Sequence, residues 1–282
     1  MIQKFRYHIF SSFWIKVVAL LLMTIDHVSK FLQINEVSPQ ISGIFEAIGR
    51  IGFPLFILLL VEGVRHTKHF GKYMLRLGIL GGTILVAQVI IHHCFMDIYG
   101  VYSPIIDLLL CALTIYLLKQ KNKKSFLAII PILYIITSYV VMSLEDSMNI
   151  DIWIFPFYLR SGYNIFGLLL SLGFFYAYPA TKLMMRYFGN SVENLENTGY
   201  ERVFVNTLMC FTVFFSVLII YLLTVFTNIY VFPDTQPYAI IAAIFLFLYS
   251  GELGYSKKWF KYGAYVYFPL HLIIIFLIFL LI

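Results

Sequence analysis

Long apolar runs separated by short polar breaks dominate this chain. The runs cover approximately residues 13–33, 44–63, 73–95, 104–119, 125–144, 163–181, 203–229, 237–252 and 260–281. A helix needs about 20 mainly apolar residues to cross about 30 Å of hydrocarbon, so the pattern predicts an all-α, polytopic membrane bundle of about nine transmembrane helices. The aromatic stretch from Trp153 to Leu159 is too brief to cross and is expected at the interface or as a re-entrant piece. There is no repeat of fixed period and no low-complexity segment, so residues 1–282 are expected to form a single integral membrane domain.

The polar breaks are sorted by charge. One set carries bases: Arg65, Lys68, Lys72 and Arg76, then Lys119, Lys121, Lys123 and Lys124, then Lys257, Lys258 and Lys261. The set between carries Asp97, Glu145, Asp146, Asp151 and Asp234. Short cytoplasmic loops collect Lys and Arg, so the amino terminus is expected in the cytoplasm and the carboxyl terminus outside. The longest polar loop, 182–202, falls inside on this count. Lys4 and Arg6 before an apolar run imitate a signal peptide, but no small-x-small cleavage site follows. The run is expected to be a retained first helix.

Composition agrees. Hydrophobic residues make up 61% of the chain and charged residues 12%, with a mean hydropathy of +0.88; a soluble domain is nearer half apolar and a quarter charged. The formal charge of +6 comes from loop residues and not from a basic soluble domain, which argues against nucleic acid as a partner. Cys94, Cys111 and Cys210 are scattered without a CxxC, so neither a disulfide framework nor a metal site is indicated. His92 and His93 lack spaced partners for a metal and read as interfacial polar residues.

Chemistry is expected where ionisable residues fall inside the runs, because a charge at the bilayer centre costs about 2.5–3.5 kcal/mol or more. Asp26 and His27 lie beyond the middle of the first run, Arg50 about two turns into the second, and His271 near the middle of the last, just after Pro269. Neighbours on a helix point about 100° apart, so Asp26 is expected to pair with Arg50 and leave His27 free. A fixed ion pair joining two helices, with His27 as polar glue, would use the same residues. Gly49-Arg50-Ile51-Gly52-Phe53-Pro54 places two glycines and a proline around the arginine, where helices can approach closely. A second cluster follows at the cytoplasmic end of that run. Glu62, Arg65 and His66 share a helix face by their i, i+3, i+4 spacing, and Thr67, Lys68, Lys72, Tyr73 and Arg76 come next. Such bases suit a phosphate-bearing ligand, or plain positive-inside bias with attraction to anionic lipid. Glu62 is expected to pair with Arg76.

Thr24-Ile25-Asp26-His27, Ile48-Gly49-Arg50-Ile51-Gly52-Phe53-Pro54-Leu55-Phe56, Glu62-Gly63-Val64-Arg65-His66-Thr67 and Lys72-Tyr73-Met74-Leu75-Arg76-Leu77 resemble, in order and spacing, blocks of the TraX family. Tyr267-Phe268-Pro269-Leu270-His271-Leu272 is similar to that family's closing element, whereas the middle of the chain matches poorly. The resemblance implies a bacterial cytoplasmic-membrane acyltransferase. The family is named for a conjugative-plasmid protein that acetylates the amino terminus of F-pilin. By this resemblance the donor would be acetyl-CoA, without a metal, and the acceptor an extracytoplasmic or pilin-like molecule. Glu62, Arg65, His66, Lys72, Tyr73 and Arg76 would hold the donor; His27, Asp26, Arg50 and His271 would carry the chemistry, with an imidazole as base. A transporter using the same four residues as a relay is the competing reading, and a scaffold whose buried charges merely pair is a third.

Overall fold

A computed structural model describes residues 9–95, 98, 102–120, 122–150, 152–188, 200–227 and 233–281. Expectations that rest on Lys4, Arg6, Asp97, Lys121, Asp151 and the part of the long loop at 189–199 lie outside these residues. Among the described residues the chain is helical: α1 (Ser12–Ile34), α2 (Pro39–Gly49), α3 (Gly52–His66), α4 (Phe70–Cys94), α5 (Pro104–Lys119), α6 (Ile129–Met148), α7 (Asn164–Phe188), α8 (Tyr200–Thr227), α9 (Ala242–Phe247) and α10 (Lys258–Leu281). The protein is an all-α polytopic bundle, with seven helical stretches long and apolar enough to cross a membrane.

Each apolar run coincides with a helical stretch, but two are short. Helix α5 has 16 residues, about 24 Å at 1.5 Å per residue. The eighth run was expected to cross over 237–252. It is a 3₁₀ turn, Gln236–Ile241, followed by the six-residue α9, together about 20 Å and shorter than the hydrocarbon thickness, yet it carries the chain from Thr235, bonded to Arg50 at the cavity, back to Leu248, bonded to Phe10 at the basic end. Beyond Phe247 the backbone turns to bond the start of α1: Ile9 and Phe10 donate to the Leu248 carbonyl, Ser250 donates to Phe10, and Ser12 donates to Glu252.

Cross-chain bonds define the two ends of the bundle. At one end the Lys119 Nζ donates to the Val64 and Arg65 carbonyls, so α3 and α5 finish together. There α3, α7 and α8 also meet through Glu62, Tyr178 and Arg202. This end holds Arg65, Lys68, Lys72, Lys123, Lys124, Lys257 and Lys258; Glu36, Glu145, Asp146 and Asp234 lie at the other. The positive-inside rule assigns the basic end to the cytoplasm. Helices α1 and α10 both start at the basic end and run parallel, in register from Phe13–Phe260 (ring centroids 4.6 Å) to Phe31–Phe279 (5.6 Å).

The second apolar run is bent, and its sequence says why. Pro54 has no N–H for the carbonyl of Arg50, its i−4 partner, and its ring crowds that carbonyl; α2 ends at Gly49 and α3 begins at Gly52. Helix α1 lies against this bend. A Cβ on Gly49 would sit 2.5 Å from Asp26 Oδ1 and 2.8 Å from the Asp26 Cα, and one on Gly52 would sit 3.2 Å from the Leu22 Cβ. The backbones meet because neither glycine has a side chain. Gly43, one helical face away, has nothing within 4 Å of the corresponding position. Gly49→Ala is therefore expected to destabilise the protein by at least about 1–3 kcal/mol, and Gly43→Ala to leave it within about 0.5 kcal/mol. Unfolding of the two variants in detergent checks both values.

Candidate functional site

A cavity of about 530 Å³ opens between α1, the α2–α3 bend, α5 and α7. Asp26, His27, Lys30, Glu46, Arg50 and Tyr163 are on its wall, with Phe53, Phe56 and Phe268 supplying apolar surface. Its other lining residues include Gln33, Tyr102, Asp146 and Pro233, all on the side away from the basic end. Three of the four residues expected to carry chemistry thus border one cavity, and the fourth, His271, bonds to the third.

The expected Asp26–Arg50 ion pair is not formed. Arg50 pairs with Glu46, one turn earlier on α2, and Lys30 pairs with the same carboxylate from α1. Gln33 donates to the other oxygen of Glu46 at 3.0 Å. The remaining donors of Arg50 reach the Tyr163 hydroxyl and Thr235 Oγ1, each at 3.4 Å. The i, i+4 spacing on one helix brings Glu46 to Arg50 without any tertiary closure, whereas Asp26 lies with its Cβ and carboxylate against Gly49. Asp26 Oδ1 is buried without a hydrogen-bond partner. Glu46 sits in an apolar run at i−4 from the arginine, a spacing that could have found it in the sequence but that was passed over in favour of Asp26.

The two histidines form a directed chain. His271 Nδ1 lies 2.9 Å from the Tyr267 carbonyl oxygen. A carbonyl only accepts, so Nδ1 carries the proton and, in the neutral ring, Nε2 carries a lone pair. His27 Nδ1 lies 2.9 Å from that Nε2 and must donate to it. The lone pair of His27 is then on Nε2, which makes no hydrogen bond to any described residue. Tyr267 also donates its hydroxyl to Thr24 Oγ1 at 2.7 Å, because Thr24 spends its own proton on the Leu20 carbonyl. The first and last helices are thereby locked in register at the level of the cavity.

Buried polar groups that sequence reasoning passed over build the far wall. Asp107, in the first turn of α5, is 1% exposed and accepts the backbone N–H groups of Gly162, Tyr163 and Asn164, each at 3.0 Å, together with the Ser161 hydroxyl. It therefore satisfies the orphan donors at the start of α7 from another helix and fixes Tyr163, whose ring stacks on Phe53 with centroids 3.5 Å apart. Arg160, fully buried, pairs with Glu145 across the segment between α6 and α7. The Trp153–Leu159 stretch does not cross: Trp153 and Ile154 are exposed, and only a single 3₁₀ turn follows at Phe157–Leu159. Neither Asp107 nor Arg160 has a local partner that the sequence would betray.

The cluster at the basic end is tied differently than expected. Glu62 pairs with His66 Nε2 at 3.1 Å, with Arg65 at 3.8 Å and with Arg202 of α8 at 3.4 Å, and it accepts the Tyr178 hydroxyl. It does not pair with Arg76, whose Nε donates to the Lys72 carbonyl. Tyr73 closes on Gly63, where a Cβ would sit 3.1 Å from its hydroxyl. Lys72 is exposed. Glu62, Arg65, His66, Lys72, Tyr73 and Arg76 all lie at the basic end, and none of them lines the cavity that holds His27. Arg202 and Tyr178 belong to this cluster and were invisible to a reading confined to one run. Among the described residues, no group of three or more His, Cys, Asp or Glu could hold a metal ion.

A helical membrane bundle with a polar, imidazole-bearing cavity in its half remote from the basic end is the class of protein that fold and site define. A family model described as "TraX protein" matches residues 11–188, and the chain belongs to the TraX family. The match takes in Asp26, His27, Arg50 and the Glu62–Arg76 cluster and stops before Arg202 and His271. No curated protein and no solved structure matches the chain.

A double-mutant cycle separates the two pairings of Arg50. Glu46→Gln with Arg50→Gln is expected to show a coupling of about 1–3 kcal/mol, and Asp26→Asn with Arg50→Gln less than about 0.5 kcal/mol, measured by unfolding in detergent. A larger coupling to Asp26 would reverse the assignment.

Proposed function

We propose that this protein is a membrane-embedded acyltransferase that moves an acyl group, acetyl in the simplest case, from acyl-CoA to an acceptor reaching the cavity from the end opposite the basic loops. The observation that carries the reading is the His27–His271–Tyr267 chain. A carbonyl fixes the tautomer of His271, His271 fixes that of His27, and the free lone pair of His27 belongs to a residue on the wall of a cavity of drug-like size. A base oriented by a second side chain that is itself oriented by a third group is the arrangement that acyl transfer needs.

In this reading His27 Nε2 takes the proton of the attacking acceptor. His271 is a positioning residue and stabilises the imidazolium that results. Arg50 keeps N–H groups beyond those given to Glu46, Tyr163 and Thr235, which suits it to stabilise the oxyanion of the thioester carbon as it becomes tetrahedral. Glu46 and Lys30 hold Arg50 in place. The donor's phosphates find cationic partners at the basic end in Arg65, Lys68, Lys72 and Arg76, with Glu62, His66 and Tyr73 shaping that surface. Family membership supports the same class, as the family takes its name from a pilin acetylase. The competing reading, a transporter using Asp26, His27, Arg50 and His271 as a relay, is weakened because Arg50 is committed to Glu46.

His27→Ala in the detergent-purified protein is expected to lower transfer of label from acetyl-CoA by about 10²–10⁴-fold, with membrane insertion and melting temperature retained. His271→Ala is expected to reduce the rate and shift its pH dependence, as the imidazolium of His27 loses its partner. Undiminished transfer by His27→Ala, in protein shown to be folded, removes His27 as the base. Absence of both acyl-CoA binding and transfer in the unaltered protein removes the acyltransferase reading altogether.

A further inference from the structure

The cavity wall carries polar atoms that the protein itself leaves without partners. Gln236, at the start of the 3₁₀ turn before α9, is 3% exposed and lines the cavity. Both its amide nitrogen and its amide oxygen are buried without a hydrogen bond, as is Asp26 Oδ1 on the same wall. A buried polar atom left unpaired costs about 1–3 kcal/mol, and three around one cavity indicate that something else completes them.

Charge says what. Lys30 and Arg50 are two cations and Asp26 and Glu46 two anions, so the inner wall is electrically balanced before any ligand arrives. Glu46 is consumed by both cations, and Asp26 by neither. Asp146 is exposed, at the mouth, where water screens it. An ammonium group in this wall would add an uncompensated charge beside Arg50 and Lys30, at a cost of several kcal/mol in a poorly solvated site. A neutral group that both gives and accepts hydrogen bonds adds none. A neutral molecule with more than one hydroxyl can donate one to Asp26 and another to the Gln236 amide oxygen while accepting from its amide nitrogen.

We infer that Gln236 and Asp26 form the acceptor subsite and that the acceptor is a neutral, hydroxyl-bearing molecule, so that the product is an ester. This rests on the acyltransferase reading and names its substrate class. The acceptor's hydroxyl oxygen attacks the acyl carbon of the thioester. The new C–O bond forms as the C–S bond breaks, and the hydroxyl proton passes to His27 Nε2 and from there to the departing thiolate. An acyl ester and a free thiol result. Asp26 here is a binding residue that accepts a second hydroxyl of the acceptor and so holds the attacking one beside His27, a role open to it because it is not spent on Arg50.

The test uses full-length protein in a detergent without hydroxyl groups, labelled acetyl-CoA, and two acceptor probes: a long-chain alkyl maltoside and a peptide with a free amino terminus. Label is expected on the maltoside and is released by mild alkali, as esters are and amides are not. Alkali-stable label on the peptide in its place overturns the inference while leaving acyl transfer intact; no transfer to either probe, or to cell-envelope fractions, overturns both. Gln236→Leu supplies a readout independent of turnover. If the amide is held open for a ligand, removing it is expected to raise the melting temperature by about 2–8 °C and the half-saturating maltoside concentration at least about 5-fold. A lower melting temperature with unchanged half-saturation shows that the amide serves the fold, and sinks the subsite.

Discussion

Everything at the cavity depends on how closely α1 approaches the bend between α2 and α3. The approach is possible because Gly49 and Gly52 present bare backbone to Asp26 and Leu22. In a bilayer, where lipid is as apolar as the helices, such close packing replaces the hydrophobic effect as the force that holds helices together. It also sets the chemistry. Asp26 lies with its side chain against Gly49 and forms no pair with Arg50; the arginine takes Glu46 from its own helix and Lys30 completes the trio. The carboxylate oxygen of Asp26 that has no partner thus sits against Gly49, one residue from the arginine it was expected to join.

The bend has a second effect. Pro54 interrupts the ladder beneath Arg50, and α2 and α3 diverge around the point where the cavity opens. Its far wall is rigid for a different reason. Asp107 reaches from α5 to gather three backbone N–H groups at the start of α7, which a lone acid in an apolar helix does only if each donor arrives pre-aligned. Tyr163 is thereby fixed against both Phe53 and Arg50. Near wall and far wall are each over-determined, as suits a site that must hold its geometry while a ligand exchanges.

Much of this was legible in the sequence. The apolar runs, their alternating loop charges and the in-run Asp26, His27, Arg50 and His271 were all readable, because the bilayer imposes length and charge rules that act residue by residue. The shortness of the helix in the eighth run was not, since hydropathy counts apolar residues without asking how many of them are helical. The partners of Arg50 and Glu62 were also out of reach as they were first assigned. Glu46 was present at i−4 and overlooked in favour of a charge with better chemistry, whereas Arg202 and Tyr178 lie more than a hundred residues from Glu62 and only the fold joins them. Gln236 carried no signal at all: a glutamine beside Pro237 reads as a loop, and its meaning comes from the two unpaired atoms that the folded chain encloses.

His27 and His271 stand on the first and last helices, 244 residues apart in the chain. Helix α1 would leave the ribosome long before α10 and wait in the bilayer with an imidazole whose tautomer nothing sets. Until α10 slides in parallel beside it, the lone pair that the proposed chemistry uses can rest on either nitrogen. Reactivity would thus be deferred until α10 has been made and has joined α1.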